Sequence, residues 1–480
     1  MKPKVLIMRC NEYDTDKISG IIKEGMEELG VTPHGKILLK PNVVIAHPEV
    51  FPNAFTRKEF LDATISAIKE KATDVREIAV GERCGITLPT RWAFKNAGYL
   101  DVLKRHGIKP YYFDEVPQVP ATLTKQGRLR SRIFIPKPVA RCDFLINLPK
   151  FKAHPWSRMT LGLKNYIGLQ DDRHRLVDHN LFLEHKIADL QEVIQPGFIA
   201  IDGIIAGQGT MLTPTPFAMN TIVMGTNSCA VDAVGCHMVN VDPHDIIHLQ
   251  FASRRGFGPI DLEEIEISGD YPLEDVQAAT KNFHFIFDRI DDYFGDGVNV
   301  TCTVGTFPEE HSPDYCWGGC PGALQEAMHI LQAYYPNVYH EMKKIRYVVG
   351  EVDEPLDLDD DEKVIFAGNC TSWEGKIDGQ PVKVESTYRS PGEVDEGRTR
   401  TNDMLLRTTS TLWNCIKNRK SRHITAKGCP VSVGDHVHYL SSLGKVGNPN
   451  FDSRMLLPVN IAYWQMRGNR LMNRFKTKNI

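Results

Sequence analysis

Short apolar runs alternate with amphipathic stretches along the first 270 residues, and that alternation leaves few folds open. Val5–Met8, Ile37–Leu39, Ile78–Val80, Phe144–Leu148, Phe198–Ile201 and Thr221–Met224 read as strands. Between them, Asp16–Leu29, Arg57–Lys71, Thr90–Arg105, Leu181–Ile194 and Ser228–Val239 space apolar side chains by three and four, the period of a helix with one buried face. Strands alternating with helices predict an α/β fold with a largely parallel sheet covered by helices. A polar stretch after Ile267 and the aromatic segment FHFIFDRIDDYFGDG set a boundary near residue 290.

Residues 291–480 repeat the pattern as a second, smaller α/β domain. Its strands are Val298–Val304, Arg346–Val352 and Lys363–Phe366, and its helices Ala323–Ala333, Asp403–Lys417 and Asp435–Leu443. A final helix, Leu456–Phe475, carries Arg467, Arg470 and Arg474, with Lys476 just beyond it. Basic groups suit a helix C-terminus, with membrane attachment or partner docking as the lesser alternative.

Composition narrows the function classes. With 42% hydrophobic and 24% charged residues and no run near the roughly 18 apolar residues of a membrane span, an integral membrane protein is not expected. The N-terminal apolar run, Val5 to Met8, is too short for a signal-peptide core, so the expected compartment is the cytoplasm. The balance of 57 basic against 60 acidic residues provides no field for gripping nucleic acid. Eleven cysteines, an odd number without a signal sequence, point to reduced thiols and metal binding rather than disulfides.

Four of those cysteines stand in Gly- or Pro-bounded contexts: CWGGC at Cys316 and Cys320, GNC at Cys370 and KGCP at Cys429. They read as the ligands of one iron–sulfur cluster, of the 4Fe-4S kind, since glycine lets backbone approach the sulfides closely. A structural zinc ion and ordinary buried or redox-paired thiols are the competing readings. Zinc sites usually present two close pairs, whereas here one pair is followed by single cysteines about fifty and sixty residues further on. The acidic run Asp357–Glu362 reads as a solvated loop.

In the first domain the densest chemistry is INLPKFKAHPWSRMTLGLKNYIG. It runs from a strand into Lys150, Lys152, His154, Lys164 and Asn165, cations suited to phosphate or carboxylate. The bland reading is a solvated loop whose lysines lie over apolar surface. Lys40 and Asn42 follow the second strand and Asp202 a later one ahead of a glycine-rich turn, all three as substrate-binding candidates, while Glu82 and Arg83 follow the third strand as rim residues. His154 and His179 are the proton-transfer candidates, the latter within a His- and carboxylate-rich stretch that includes His174, Glu184, His185 and Asp189. Asp232 reads as a cap or buried hydrogen-bond partner, and Cys229 and Cys236 as core thiols.

At LLKPNV, INLPKFKAH, LGLKNYIG, AIDGIIAGQG, AVDAVGCHMV and GFGPIDLEEIEISG the chain resembles the domain of unknown function 362 family, over about its first 270 residues. That resemblance implies frequent association with iron–sulfur domains, although the CxxCxxCxxxC module of many relatives is absent here. GNC and KGCP look like the cluster-binding framework of nickel–iron hydrogenase small subunits. The usual first pair there has two intervening residues rather than three, which leaves Cys302 as a substitute ligand.

Two functions are expected. The first is an iron–sulfur-dependent oxidoreductase or lyase acting on a small anionic substrate held between the domains, with Lys150, Lys152 and Lys164 lining the pocket and His154 at its rim. The second is a noncatalytic electron-transfer or cluster-delivery protein that docks to a partner enzyme. A redox partner protein and a homo-oligomer fit either.

Overall fold

A computed structural model describes residues 2–47, 50–85, 88–175, 182–285, 290–295, 297–309, 313–389 and 403–477. The chain divides into two compact units, Met1–Phe285 with Pro458–Ile480, and Ile286–Glu393 with Asp403–Leu457. The last helix was expected to belong wholly to the second domain, but from Pro458 onward it belongs to the first. Three of its side chains explain why. Asn469 donates to Glu115 Oε2 at 2.6 Å, Arg470 pairs with Asp172 at 2.7 Å, and Asn473 donates to the Glu115 carbonyl at 2.6 Å.

The strands of unit 1 are β1 (Lys4–Arg9), β2 (His34–Pro41), β3 (Thr73–Glu82), β4 (Lys109–Tyr112), β5 (Gln118–Thr122), β6 (Arg132–Pro136), β7 (Phe144–Leu148), β8 (Lys150–His154), β9 (Arg158–Thr160), β10 (Phe198–Gln208), β11 (Thr215–Gly225) and β12 (Glu266–Ser268). Ten of them form one sheet in the order β12-β1-β11-β10-β7-β2-β3-β4, with β8 pairing β10 and β9. Pairing is parallel throughout β10-β7-β2-β3-β4, and antiparallel at β1/β11, β10/β11 and β8/β9. Every side chain of β7, Phe-Leu-Ile-Asn-Leu, is buried, as a central strand covered on both faces requires.

Two covering helices show how sequence sets local structure. In α1 (Thr15–Glu28) Asp14 caps the Lys17 amide, and Ile18, Ile22 and Met26 form the buried stripe. In α2 (Lys58–Lys71) the stripe is Phe60, Leu61, Thr64, Ile65 and Ile68. The helix expected over Thr90–Arg105 is instead two, α3 (Thr90–Asn96) and α4 (Tyr99–His106). Gly98 adopts φ +74° between them, a left-handed conformation that ends the first helix.

In unit 2, β13 (Val300–Val304), β14 (Ile345–Val349), β15 (Lys363–Ala367) and β18 (His423–Ala426) form a four-stranded, wholly parallel sheet in that order. A hairpin, β16 (Trp373–Ile377) and β17 (Gln380–Val384), stands apart from it. Val300, Leu324, Met328, Tyr347, Ile365 and Leu440 centre its core. Among the described residues no helix is long and apolar enough to cross a membrane.

Candidate functional site

In unit 1 the strand order reverses between β2 and β7: from β2 the chain moves outward to β3 and β4, then returns to β7 and continues the other way to β10. The carboxyl ends of strands at such a reversal form the crevice where α/β sheets place ligands. Lys40, Asn42, Glu82 and Asn147 converge there, joined by Asn165 from the short helix α5 (Gly162–Asn165). Lys40 donates to Glu82 and, at 3.1 Å, to Asn165 Oδ1. Asn165 Nδ2 donates to Asn147 Oδ1 at 2.7 Å, and Asn42 Nδ2 to Asn165 Oδ1 at 3.3 Å. A Cβ on Gly168 would overlap the Glu82 carboxylate and crowd Lys40 Nζ at 3.0 Å, so the glycine lets the chain lie on this ion pair.

Burial pushes the Glu82 carboxyl up to about 7 and Lys40 downward, while their direct contact opposes both shifts. Glu82 and Arg83, expected at a rim, are both buried. Arg83 donates to the carbonyls of Gln170 at 2.7 Å and Phe113 at 2.9 Å.

The lysine-rich segment is a strand rather than a solvated loop. Pro149 separates β7 from β8, and β8 pairs with β10 so that Lys150 stands opposite Asp202 and Lys152 opposite Gly207. Alternation of side chains along the strand sends Phe151 and Ala153 into the hydrophobic core and turns Lys150, Lys152 and His154 the other way.

All three polar side chains are nonetheless buried. Lys150 pairs with Asp202 at 3.0 Å and donates to the Tyr13 hydroxyl at 2.8 Å. Asp202 also accepts from Tyr13 at 2.8 Å and the Arg57 amide at 3.0 Å. Lys150 and Asp202, expected to bind substrate, thus neutralise each other. Lys152 donates to the carbonyls of Ala54 at 2.7 Å and Met211 at 2.9 Å. His154, expected at a pocket rim, accepts the amides of Trp156 at 3.1 Å and Ser157 at 3.2 Å on Nδ1, which orders the turn after β8.

Lys164 differs from the other lysines. It is 9% exposed, and among the described residues its ammonium has neither a hydrogen bond nor an ion pair. Burial holds its ammonium down at about 7; the Arg175 guanidinium lowers it further, and the Glu184 carboxylate partly offsets this. Arg175, also buried, donates to the Cys84 carbonyl at 2.7 Å, leaving Nε without a partner among the described residues. Two neighbouring buried cations therefore meet too little negative charge to compensate them.

Between about pH 7 and the ordinary lysine value of 10.5, the unfolded chain holds a proton at residue 164 that the folded one has lost. Stability tied to this residue therefore rises with pH across that window, and its full cost is present below it. Lys164→Met is expected to raise the melting temperature below pH 7 in anion-free buffer and to flatten that rise, as followed by thermal unfolding across pH. A variant melting lower than the parent in acid would overturn this.

Three described members of the His- and carboxylate-rich stretch have separate partners. Asp189 pairs with Arg255 at 2.5 Å, His185 packs on Phe251 at 4.3 Å between ring centroids, and His174 lies against Phe134. His179 lies outside the described residues. Asp232 accepts the amides of Gly162 at 2.7 Å and Leu163 at 2.9 Å, positioning the helix that carries Lys164. Sequence reasoning missed Asn147, Tyr13 and Arg175. Asn147, a polar residue inside the apolar run of β7, was the one with a visible signal.

In unit 2 the carboxyl ends of the parallel strands carry the cysteines. Cys370 follows β15 and Cys429 follows β18, each three residues past its strand, and the two loops are bonded together. Gly368 donates to the Ala426 carbonyl at 2.9 Å, Asn369 to the Gly428 carbonyl at 2.8 Å, and the Gly428 amide to Asn369 Oδ1 at 2.9 Å. Cys316 and Cys320, expected on a loop, lie in the helix α6 (Pro313–Tyr334), whose backbone breaks at Gly319. Gly368 has φ +113°, and a Cβ on it would stand 3.2 Å from Cys320 Sγ and 3.8 Å from Cys370 Sγ.

Burial is the first cause of raised values for Cys316 (to about 12), Cys429 (to about 11), Cys320 and Cys370. Cys316 and Cys320 also each sense Cys370 and Cys429, and Cys429 senses Cys370. Among the described residues no three His, Cys, Asp or Glu side chains gather closely enough for one metal ion. The two observations agree, because charge influence reaches well beyond the roughly 4 Å between sulfurs that a 2.3 Å zinc–sulfur bond implies. Cys302 lies within β13, opposite Tyr347 and packed against the core.

Fold and site together define a two-unit α/β protein with a buried polar network at a sheet reversal and four thiols at the edge of a second parallel sheet. Residues 37–237 match the family model described as Domain of unknown function (DUF362). The chain is 24% identical over 285 residues, 55% of its length and 83% of the relative's, to Thylakoid-associated protein sll1697 of Synechocystis sp.. The lactate racemase apoprotein of Thermoanaerobacterium thermosaccharolyticum aligns over 74% of this chain and 72% of that chain, at 10% identity and a TM-score of 0.32, and this likeness carries no argument about activity.

Proposed function

We propose that the protein is an iron–sulfur-dependent oxidoreductase or lyase acting on a small anionic substrate. The observation that carries this reading is the convergence of Cys316, Cys320, Cys370 and Cys429 at one edge of the unit 2 sheet. The donor set fits a cluster: four thiols on segments from three parts of the chain, with Gly368 placing no side chain beside Cys320 and Cys370. Bound there, a 4Fe-4S cluster would supply one-electron transfer or a Lewis-acidic iron.

In unit 1, Lys164 and Arg175 would bind a phosphate or carboxylate by charge, with Asn42 Oδ1, buried and without a partner among the described residues, available to a substrate hydroxyl. The buried pairs Lys40–Glu82 and Lys150–Asp202 would keep the sheet edge rigid around that anion. The proposed compartment is the cytoplasm, a reading supported by the odd number of cysteines. The second reading, a noncatalytic electron carrier or cluster-delivery protein, is favoured by Leu406, Trp413 and Ile416, exposed on the helix α7 (Met404–Lys417) in the same unit as the thiols.

Protein purified without oxygen is expected to be brown and to contain iron and acid-labile sulfide, with a paramagnetic signal on reduction. Inorganic phosphate or a small carboxylate should raise the melting temperature of the parent but not of Lys164→Met. Stoichiometric zinc without sulfide would sink the cluster, and anion stabilisation unaffected by the substitution would sink the anion site.

A further inference from the structure

The chain returns from β4 to β7 across one face of the unit 1 sheet with little helix to cover it. That crossing consists of the β5–β6 hairpin and a helix of five residues, Lys137–Arg141, about 7.5 Å long at 1.5 Å per residue. Val139 joins the core that holds Leu38 and Ala79, and the Lys137 amide ties the helix to the Pro117 carbonyl at 2.8 Å. Between helix and sheet remains a cavity of about 310 Å³, within the size range of small-molecule sites.

Register explains its floor. Lys36 stands opposite Glu77, Leu38 opposite Ala79 and Tyr111 opposite Gly81, so alternation turns all five side chains to the same face. The cavity is separate from the polar network at the strands' carboxyl ends, since the four residues from Lys36 to Lys40 span about 13 Å of β2. Its charge is unbalanced. Lys36, Lys137 and Arg141 line it, and none of them has an ion pair among the described residues. Glu77, the carboxylate in the lining, accepts from the Tyr111 hydroxyl at 2.7 Å, and neighbouring Asp143 pairs with Arg76 at 2.6 Å.

We infer that this cavity is a ligand site for a carboxylate on a short hydrocarbon chain, separate from the anion site at Lys164. Three cations against one carboxylate select an anion, while Leu38, Ala79 and Pro138 offer its chain an apolar wall. The volume sets the size, with room for about ten water-sized groups at roughly 30 Å³ each. Octanoate matches that size.

The test is calorimetric titration of octanoate into the full-length Lys164→Met variant, which lacks the ammonium of the other site, so the two readings fail independently. Octanoate is expected to bind, the uncharged octanamide at least about tenfold more weakly, and acetate not detectably, because only octanoate has both charge and chain. Lys137→Glu combined with Arg141→Glu should weaken octanoate at least about tenfold, less so as salt rises, with circular dichroism unchanged. Ala79→Leu, which fills the floor, should abolish binding. Octanoate that does not bind, binds no better than octanamide, or ignores the two charge reversals would overturn the inference. So would full binding to a folded Ala79→Leu variant.

Discussion

Cys370→Ala or Cys429→Ala is expected to remove the iron and acid-labile sulfide from protein purified without oxygen, or to leave a smaller cluster, while Cys236→Ala retains the full content. Cys370 and Cys429 lie on the loops after two adjacent parallel strands, in register at Ala367 opposite Ala426, and these loops exchange three hydrogen bonds. Removing either sulfur would take a ligand from the proposed site, and Cys302, the substitute cysteine, is held within β13. Burial keeps all four thiols protonated near neutrality, so a metal must displace those protons, and its uptake should improve as pH rises. Cys236 is a core thiol of the helix Ser228–His237 in unit 1. Equal iron loss from all three variants would mean that general instability, not ligation, was being read.

Lys150→Met is expected to destabilise unit 1 by roughly 3–5 kcal/mol, the usual cost of stranding one member of a buried ion pair. Asp202 is fully buried and would be left, among the described residues, with the Tyr13 hydroxyl and the Arg57 amide as donors. Adding Asp202→Asn to that variant should recover most of the loss, since an amide oxygen still accepts those two bonds without carrying charge. Urea unfolding of the parent, both single variants and the double variant gives the coupling directly. Strictly additive losses would show that Lys150 and Asp202 are not a pair in solution and would restore Lys150 as a candidate anion ligand.

Several features were legible beforehand for stated physical reasons. The apolar runs of β1, β2, β7, β10 and β11 and the stripes of α1 and α2 announced themselves by period, because one buried face per element leaves a repeat in the chain. The alternation in Lys150–His154 is equally plain once read as a strand with Phe151 and Ala153 inward. So is the hairpin of β16 and β17, whose Asp378-Gly379 turn has φ +50° and +73°. Both were signals passed over. The short strands β4, β9, β12 and β18 have three or four residues each and are strands because a neighbour pairs with them.

The sequence by itself determined which residues carry charge, which are thiols, and where strands would end, and so which groups could reach a sheet edge. Only the tertiary structure decided which cations are already answered. Lys40 meets Glu82 from β3 and Lys150 meets Asp202 from β10, partners 42 and 52 residues distant, whereas Lys164 meets Arg175 instead. The physical reason is that charge compensation depends on distances between strands, and the order in which strands pair is set by packing of the whole sheet, which no local spacing encodes.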